Sequence, residues 1–486
     1  MEWGWAAAFD AYRTAVSITA ALYQSLMLRR RRAALTDQPN SVESRDVAYQ
    51  LHAYTNMRKH EKEGPVVIDR GEGIYVYDNM GKQYIEAMAG LWSVGVGFGE
   101  QRLVDAAARQ MAKLPYYHTF AQKTHGPSVD LAEKLIQMAP VPMSKVHFTN
   151  SGSEANDTAM KMIWYRSNAL GKPEKKKIIS RIKGYHGVTV ASASLTGLPN
   201  NHRSFDLPLA GVLHTSCPHY RLFAQAGETE LAFSARCAAE LEEMILREGP
   251  DTVAAFIGEP VMGAGGVIVP PEGYWEAIQP ILKKYDILFI ADEVICGFGR
   301  TGNMFGTTTY ALQPDMITLS KQISSSYQPI SALLINENVY GPIADESNRI
   351  GTFGHGVTGS GHPVAAAVAL ENIAIIEERD LVGNVRAQSP RFLARLQSIA
   401  AHPLAIEARG VGLIGALELA PREGFAAGAL GLKMAGIMHE KGVISRNVGD
   451  SMAFCPPMII TEKQVDAMFD VLEASLDALK SELDAA

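Results

Sequence analysis

The pattern of apolar and polar positions along this chain changes period several times, and each change predicts an element. From residue 146 onward, short apolar runs alternate with longer stretches of helical spacing. The runs cover residues 146–150, 177–183, 253–260, 287–292 and 314–321. Apolar runs of this length, bounded by turn residues, read as buried strands of a parallel sheet. Residues 155–170, 231–247 and 274–285 read as helices between them. Strands alternating with helices predict βαβ crossovers and an α/β fold with a mainly parallel sheet. The run at 331–336 follows too closely for a helical crossover, so its strand is expected to be antiparallel.

The flanks read differently. Residues 71–86 form two alternating runs around a turn at 78–81, the pattern of a hairpin. Residues 88–99 are glycine-dense around Trp92 and read as a loop, with a helix expected over 103–114 and an aromatic loop over 116–120. A glycine-rich loop at 351–363 precedes a helix at 364–378. Beyond about 381, helices at 388–400 and 461–483 surround strand-like pieces at 412–419 and 443–446, a smaller α+β unit. Residues 33–60 are polar and read as a linker. The expected organisation is an extra N-terminal helix and linker over 1–45, a segment at 46–90 packing with the small domain, a large domain over 91–365 and a small domain over 366–486.

Composition narrows the function classes. A chain of 486 residues is expected to form two or three packed units. A hydrophobic share of 47% and a charged share of 20% are ordinary for a soluble enzyme. A net charge of −7 disfavours a nucleic-acid partner. Cys217, Cys237, Cys296 and Cys455 lie far apart without CxxC spacing, so neither a disulfide framework nor a zinc site is expected; a reducing, cytoplasmic setting is. The clean apolar stretch at 14–28 is shorter than the ~20 residues of a membrane span. Arg29 to Arg32 follow it, the reverse of a signal peptide, and suit the C-terminal end of an amphipathic helix.

The chemistry concentrates at strand ends. The run at 287–292 closes on Asp292 and the run at 314–321 on Lys321. Ligands of open α/β sheets sit outside the carboxyl ends of the strands, so the two side chains are expected side by side. A plain ion pair would look the same. A carboxylate beside an amine also suits pyridoxal phosphate, which needs a lysine for a Schiff base and an acid to keep its ring nitrogen protonated. Ser151-Gly152-Ser153-Glu154 is a helix start close to a capping box, with free N–H groups that can seat a phosphate. Tyr185, in Gly184-Tyr-His-Gly187, can lie flat on a ring, and Glu259 ends a further strand. Gly297-Phe-Gly299-Arg-Thr-Gly302 formally fits a dinucleotide fingerprint, but no helix is expected to open behind it.

Several separated motifs then occur in order: Met88-Ala-Gly-Leu-Trp92, Thr149-Asn-Ser-Gly-Ser-Glu154, Gly184-Tyr-His-Gly187, Gly258-Glu-Pro260, the stretch from Ala291 to Gly302, Lys321, and Gly359-Ser-Gly-His-Pro363. On these the chain from about residue 50 resembles class III aminotransferases of the amine:pyruvate type, which are fold-type-I pyridoxal-phosphate enzymes. The resemblance implies that Lys321 bonds the cofactor and shuttles a proton, and that Asp292 pairs with the ring nitrogen. It implies Val294 on one ring face, Tyr185 on the other, and His186 and Glu259 beside the ring. Gly152 and Ser153 would hold the phosphate, with Thr358 supplied by the partner copy of a homodimer. Trp92 would line the substrate pocket and Arg446 would bind a substrate carboxylate. Two departures, Gln322 after the lysine in place of glycine and Val357 in place of an aromatic, are expected to touch the pocket wall and so to bear on substrate size.

The reaction implied is transfer of an amino group from an amine or ω-amino acid to a keto acid such as pyruvate, in two half-reactions sharing one pocket. A decarboxylase or aminomutase on the same scaffold is the alternative. A membrane-surface or partner-binding role for the apolar-plus-arginine N-terminus is a third reading, and membrane attachment is not expected.

Overall fold

The computed structural model describes residues 38 and 40–485; the helix expected over 14–28 lies outside them. The expected linker instead holds two short helices, Val42–Tyr49 and Met57–Glu63. Each starts on a polar cap: Ser41 accepts from the Ser44 N–H and Asn56 from the Lys59 N–H. Neither helix buries a residue, so no apolar period marked them in the sequence. The hairpin forms as β2 (Tyr75–Asp78) and β3 (Gln83–Glu86), with β1 (Ile68–Glu72) antiparallel to β2.

The central sheet has seven strands: β4 (Lys145–Thr149), β5 (Lys177–Arg181), β6 (Val212–Thr215), β7 (Val253–Gly258), β8 (Leu288–Asp292), β9 (Met316–Leu319) and β10 (Ser331–Ile335). Their order is β4-β10-β9-β8-β7-β5-β6. β10 is antiparallel to both β4 and β9, as its short connection requires, and the remaining pairs are parallel. β7, β8, β9 and β10 are buried along their whole length, which is why they read as unbroken apolar runs. β6 has only two buried positions and gave no such run. Helices Gly126–Met138 and Glu337–Ile350 were also missed; the second contains Gly341 and Pro342, which break the expected helical composition.

The C-terminal part contributes β11 (Ala405–Val411), β12 (Ile414–Leu419), β13 (Val443–Ile444), β14 (Arg446–Val448) and β15 (Ser451–Phe454). Four of them form an antiparallel sheet ordered β11-β12-β15-β14, covered by helices Leu381–Ile399, Ala429–Glu440 and Glu462–Asp484. The single piece expected at 443–446 is two strands in two sheets. Val443 pairs in parallel with Ile85 of β3, whereas Arg446 pairs with Ala453 of β15. The chain crosses from one sheet to the other at Ser445, and Arg446 sits at that junction.

The glycine motif at 297–302 is a structural joint. A single helical turn, Gly306–Thr309, is all that follows it. Arg300 is buried and donates to the carbonyls of Leu413 (3.1 Å) and Pro456 (2.6 Å) and to Gln322 Oε1 (3.0 Å). This ties the central sheet's loops to the C-terminal sheet. No helix among the described residues is long and apolar enough to cross a membrane. Gly412 has φ +59°, and a Cβ there would lie 2.3 Å from the Arg300 carbonyl oxygen. Gly412→Ala is therefore expected to lower stability by about 1–3 kcal/mol, from left-handed strain and overpacking at the joint. Denaturant or thermal midpoints compared with the parent chain check this; an unchanged midpoint would contradict the joint.

Candidate active site

β8 and β9 are adjacent and parallel, with Asp292 opposite Thr318. Lys321 lies two residues past the end of β9, so both side chains emerge at the same carboxyl edge. The Lys321 backbone has φ +48°, a left-handed conformation that costs a non-glycine residue energy and turns the chain sharply after the strand. Both side chains line a cavity of about 750 Å³.

Asp292 is 3% exposed and accepts three hydrogen bonds. Its Oδ2 accepts from Asn156 Nδ2 (2.9 Å) and His186 Nδ1 (2.8 Å), and its Oδ1 from the Val294 N–H (3.2 Å). Asn156 is itself fixed: its Oδ1 accepts from Thr318 Oγ1 at 2.8 Å, and its Nδ2 also donates to the His186 carbonyl at 2.8 Å. Asn156 and Thr318 were missed by sequence reasoning. The available signal was a buried polar face on the helix Gly152–Ala169, where Asn156 and Thr158 are buried among alanines and methionines.

Burial pushes the Lys321 ammonium pKa down to about 8, and Arg446 repels it further, while Asp292 and Glu259 pull it up. Burial dominates, so the amine is neutral at far lower pH than a free lysine. Glu259 is raised by burial as well; its Oε1 accepts from the Tyr185 N–H (3.0 Å) and its Oε2 from the Gly263 N–H (2.9 Å). It thus holds the backbone carrying the aromatic residue.

Ser151 caps the helix Gly152–Ala169 by accepting from the Glu154 N–H at 3.2 Å. The N–H groups of Gly152 and Ser153, at the positive end of that helix, have no hydrogen-bond partner among the described residues, and both residues line the cavity. A Cβ on Gly152 would stand 3.1 Å from Val294 Cγ2, so glycine keeps the anion seat against the Val294 side chain. Ser153 Oγ accepts from the Val188 N–H at 3.1 Å. The seat, the flanking valine, the half-buried Tyr185 and the Asp292–Lys321 pair fit a flat phosphorylated heteroaromatic such as pyridoxal phosphate.

Trp92 forms a buried wall, with Nε1 unpartnered and backbone φ +65°. Its turn, Ala89–Trp92, replaces the plain loop expected there. Glu86 accepts from the N–H groups of Met88 and Gly90 in that turn, and burial raises its pKa to about 7. Arg446 and Asn447 also line the cavity. Arg446 makes no ion pair with a carboxylate among the described residues. Tyr54, from the supposed linker, also lines the cavity, and its hydroxyl accepts from Asn201 Nδ2 at 2.6 Å.

Three expectations are corrected or redirected. Gln322 does not line the cavity: its Nε2 donates to the Gly297 carbonyl at 2.8 Å, and its Oε1 accepts from Arg300. It braces the inter-sheet joint, so it does not set substrate size. Val357 is likewise absent from the cavity wall. Thr358 is exposed, outside the cavity of its own chain, with its carbonyl accepting from Tyr116 Oη at 2.9 Å. Cys296 is buried with its thiol pushed well up by burial, consistent with packing. A larger groove of about 1270 Å³, beside helix Gly126–Met138 and β4, contains none of the expected site residues.

Comparison with known proteins fits this geometry. The family model for aminotransferase class-III matches residues 56–476. Gamma aminobutyrate transaminase 1, mitochondrial, of Solanum lycopersicum is 50% identical over 418 residues, covering 85% of this chain and 81% of that protein. The omega transaminase from Pseudomonas jessenii in complex with PMP is 60% identical with a TM-score of 0.90, over 91% of this chain and 99% of that one. A transaminase solved with L-ala is 65% identical with a TM-score of 0.85, over 86% of this chain and 100% of that one. The family match spans all three sheets and most of the cavity-lining residues, and the chain belongs to the class III aminotransferases, pyridoxal-phosphate enzymes with transaminase activity.

Proposed function

We propose that this transaminase takes its amino group from an amine or ω-amino acid and delivers it to pyruvate, as a homodimer. The observation that carries the substrate reading is Arg446, a guanidinium on the cavity wall with no carboxylate ion-pair partner among the described residues. It can pair bidentately with a substrate carboxylate. Pyruvate as acceptor is supported by the relative solved with L-ala, its aminated form, and an ω-amino acid donor by the relative named for gamma aminobutyrate. The dimer is supported by Thr358, exposed in its own chain, and by the exposed aromatics Tyr116, Tyr117 and Phe120 nearby. In that assembly Thr358 completes the phosphate seat of a second copy. A cytoplasmic location stays part of the proposal.

In this reading Gly152 and Ser153 hold the phosphate, Asp292 the ring nitrogen, Val294 and Tyr185 the two faces, and Lys321 the covalent link. Bound pyridoxal phosphate supplies an electron sink for the carbon that loses its proton. Asp292 keeps a negative charge in a buried site because Asn156, His186 and the Val294 N–H stabilise the ionised form. Lys321 Nζ, whose ammonium pKa burial lowers to about 8, takes the substrate proton in its neutral form and returns it to a second carbon. Trp92 and Tyr185 exclude water from that transfer. Arg446 orients a carboxylate when the substrate has one.

Lys321→Ala is expected to lower transamination by at least about 10⁴-fold. In the cofactor-free protein, capture of pyridoxal phosphate should accelerate with pH up to about 8 and then level off, following neutral Nζ. A rate still climbing toward about 10.4, the value of a free lysine, would contradict the burial argument. Asn156→Ala removes one partner of the Asp292 carboxylate and should cut kcat about 10- to 100-fold while the cofactor still binds. Arg446→Leu should raise KM for pyruvate by about 100-fold and leave the half-reaction with an uncharged arylalkyl amine within a few-fold. Equal losses for both substrates would remove Arg446 from carboxylate recognition.

A further inference from the structure

We propose that Asp46, His52 and His60 form a binding site for one divalent transition-metal ion of the zinc type. The bound ion would clamp the segment that carries Tyr54 to the mouth of the active-site cavity. The three ligands come from three places: Asp46 from helix Val42–Tyr49, His60 from helix Met57–Glu63, and His52 from the connection between them. Their spacing matches no short metal motif, so only the fold shows that they converge. In the fold, His52 Nε2 lies 2.8 and 2.9 Å from the two Asp46 oxygens, and His60 Nε2 lies 2.8 Å from Oδ2. One ligand atom from each residue lies within 4.8 Å of the others.

The chemistry of the set favours a borderline metal. Two imidazole nitrogens and one carboxylate are a three-ligand set with positions left for water, as in protein-bound zinc. On a tetrahedral centre with bonds of about 2.1 Å, ligand atoms stand roughly 3.4 Å apart. The two histidine contacts to Asp46 are about half an ångström shorter than that, and the ligand atoms all stand within 4.8 Å of one another. The side chains of Asp46 and His60 are 12% exposed and that of His52 29%, so the ligands are shielded but open to an entering ion.

A second observation points the same way. Neither helix of this segment buries a residue, so it has no apolar core of its own. Segments of this kind depend on a staple. Its other polar attachments include Asn79 to Glu43 (2.7 Å) and Asn201 to Tyr54 (2.6 Å). Ala53 and Tyr54, which follow His52 directly, line the cavity. Joining His52 to Asp46 and His60 fixes the start of that stretch. The inference rests on this segment alone and is independent of which amines the enzyme accepts.

The test uses the holoenzyme dialysed against a chelator and titrated with cobalt(II). Saturable binding of one ion per chain, with visible ligand-field bands displaced by zinc, is expected. Loss of a supporting partner alone weakens metal sites by about 10- to 100-fold, so His52→Gln and His60→Gln should each weaken cobalt binding by at least about 100-fold. His402→Gln, elsewhere on the chain, should leave it unchanged. Zinc should also slow proteolysis between residues 50 and 56 in the parent chain but not in His52→Gln. An intact cofactor absorption band in His52→Gln shows that the variant is folded. Absence of saturable cobalt binding, or binding unaltered in both histidine variants, would overturn the site.

Discussion

The structure depends on keeping one carboxylate charged inside the protein. Asp292 ends the most central buried strand, where an unpartnered charge would cost several kcal/mol. Three donors from separate elements offset that cost: Asn156 from a helix, His186 from the loop after β5, and the Val294 N–H from its own turn. Two neighbouring acids answer burial differently. Glu293 is pushed up to about 7 and accepts from the N–H groups of Gly306 and Thr307. Glu259 is raised too and binds backbone at Tyr185 and Gly263. Among the three, Asp292 alone is secured by side-chain donors on the cavity floor. Packing around it therefore selects which acid can face a cationic ring.

The sheets give this charge its counterpart and its walls. Adjacent parallel strands deliver Lys321 beside Asp292, and the left-handed turn at Lys321 directs the chain away from the strand axis. A further part of the wall comes from the junction at Ser445, where the chain leaves the β3 sheet for the β15 sheet. Arg446 is presented by the second sheet, while Trp92 follows the first by a short strained turn that Glu86 holds. Arg300, in the loop after β8, joins the central sheet to the C-terminal sheet through carbonyls of Leu413 and Pro456. Cavity shape is thus set by inter-sheet contacts more than by the residues nearest the reacting atoms.

Much of this was legible from the sequence because burial and period coincide. β7 to β10 are buried on both faces, and the apolar runs of β7, β8 and β9 ended on the candidate site residues Glu259, Asp292 and Lys321. The helix cap at Ser151 announced the anion seat. What was hidden lacked a period. Asn156 and Thr318 are single polar residues on otherwise apolar faces, and only the fold shows that they meet. The helices at 42–49 and 57–63 bury nothing, so their polar stretch resembled a linker although it carries Tyr54 to the cavity. Gln322 was misjudged for a different reason: position beside Lys321 suggested the pocket, whereas the turn sends its side chain to Arg300.

The central claim is that Asp292 imposes a proton on the ring nitrogen of the bound cofactor. Nitrogen-15 NMR of the enzyme loaded with ring-labelled pyridoxal phosphate tests it directly. The account predicts a protonated ring nitrogen in the parent enzyme across the neutral and mildly alkaline range, and an unprotonated one in Asp292→Asn with the cofactor still bound. An unprotonated nitrogen in the parent enzyme, or a protonated one that survives Asp292→Asn, would contradict it.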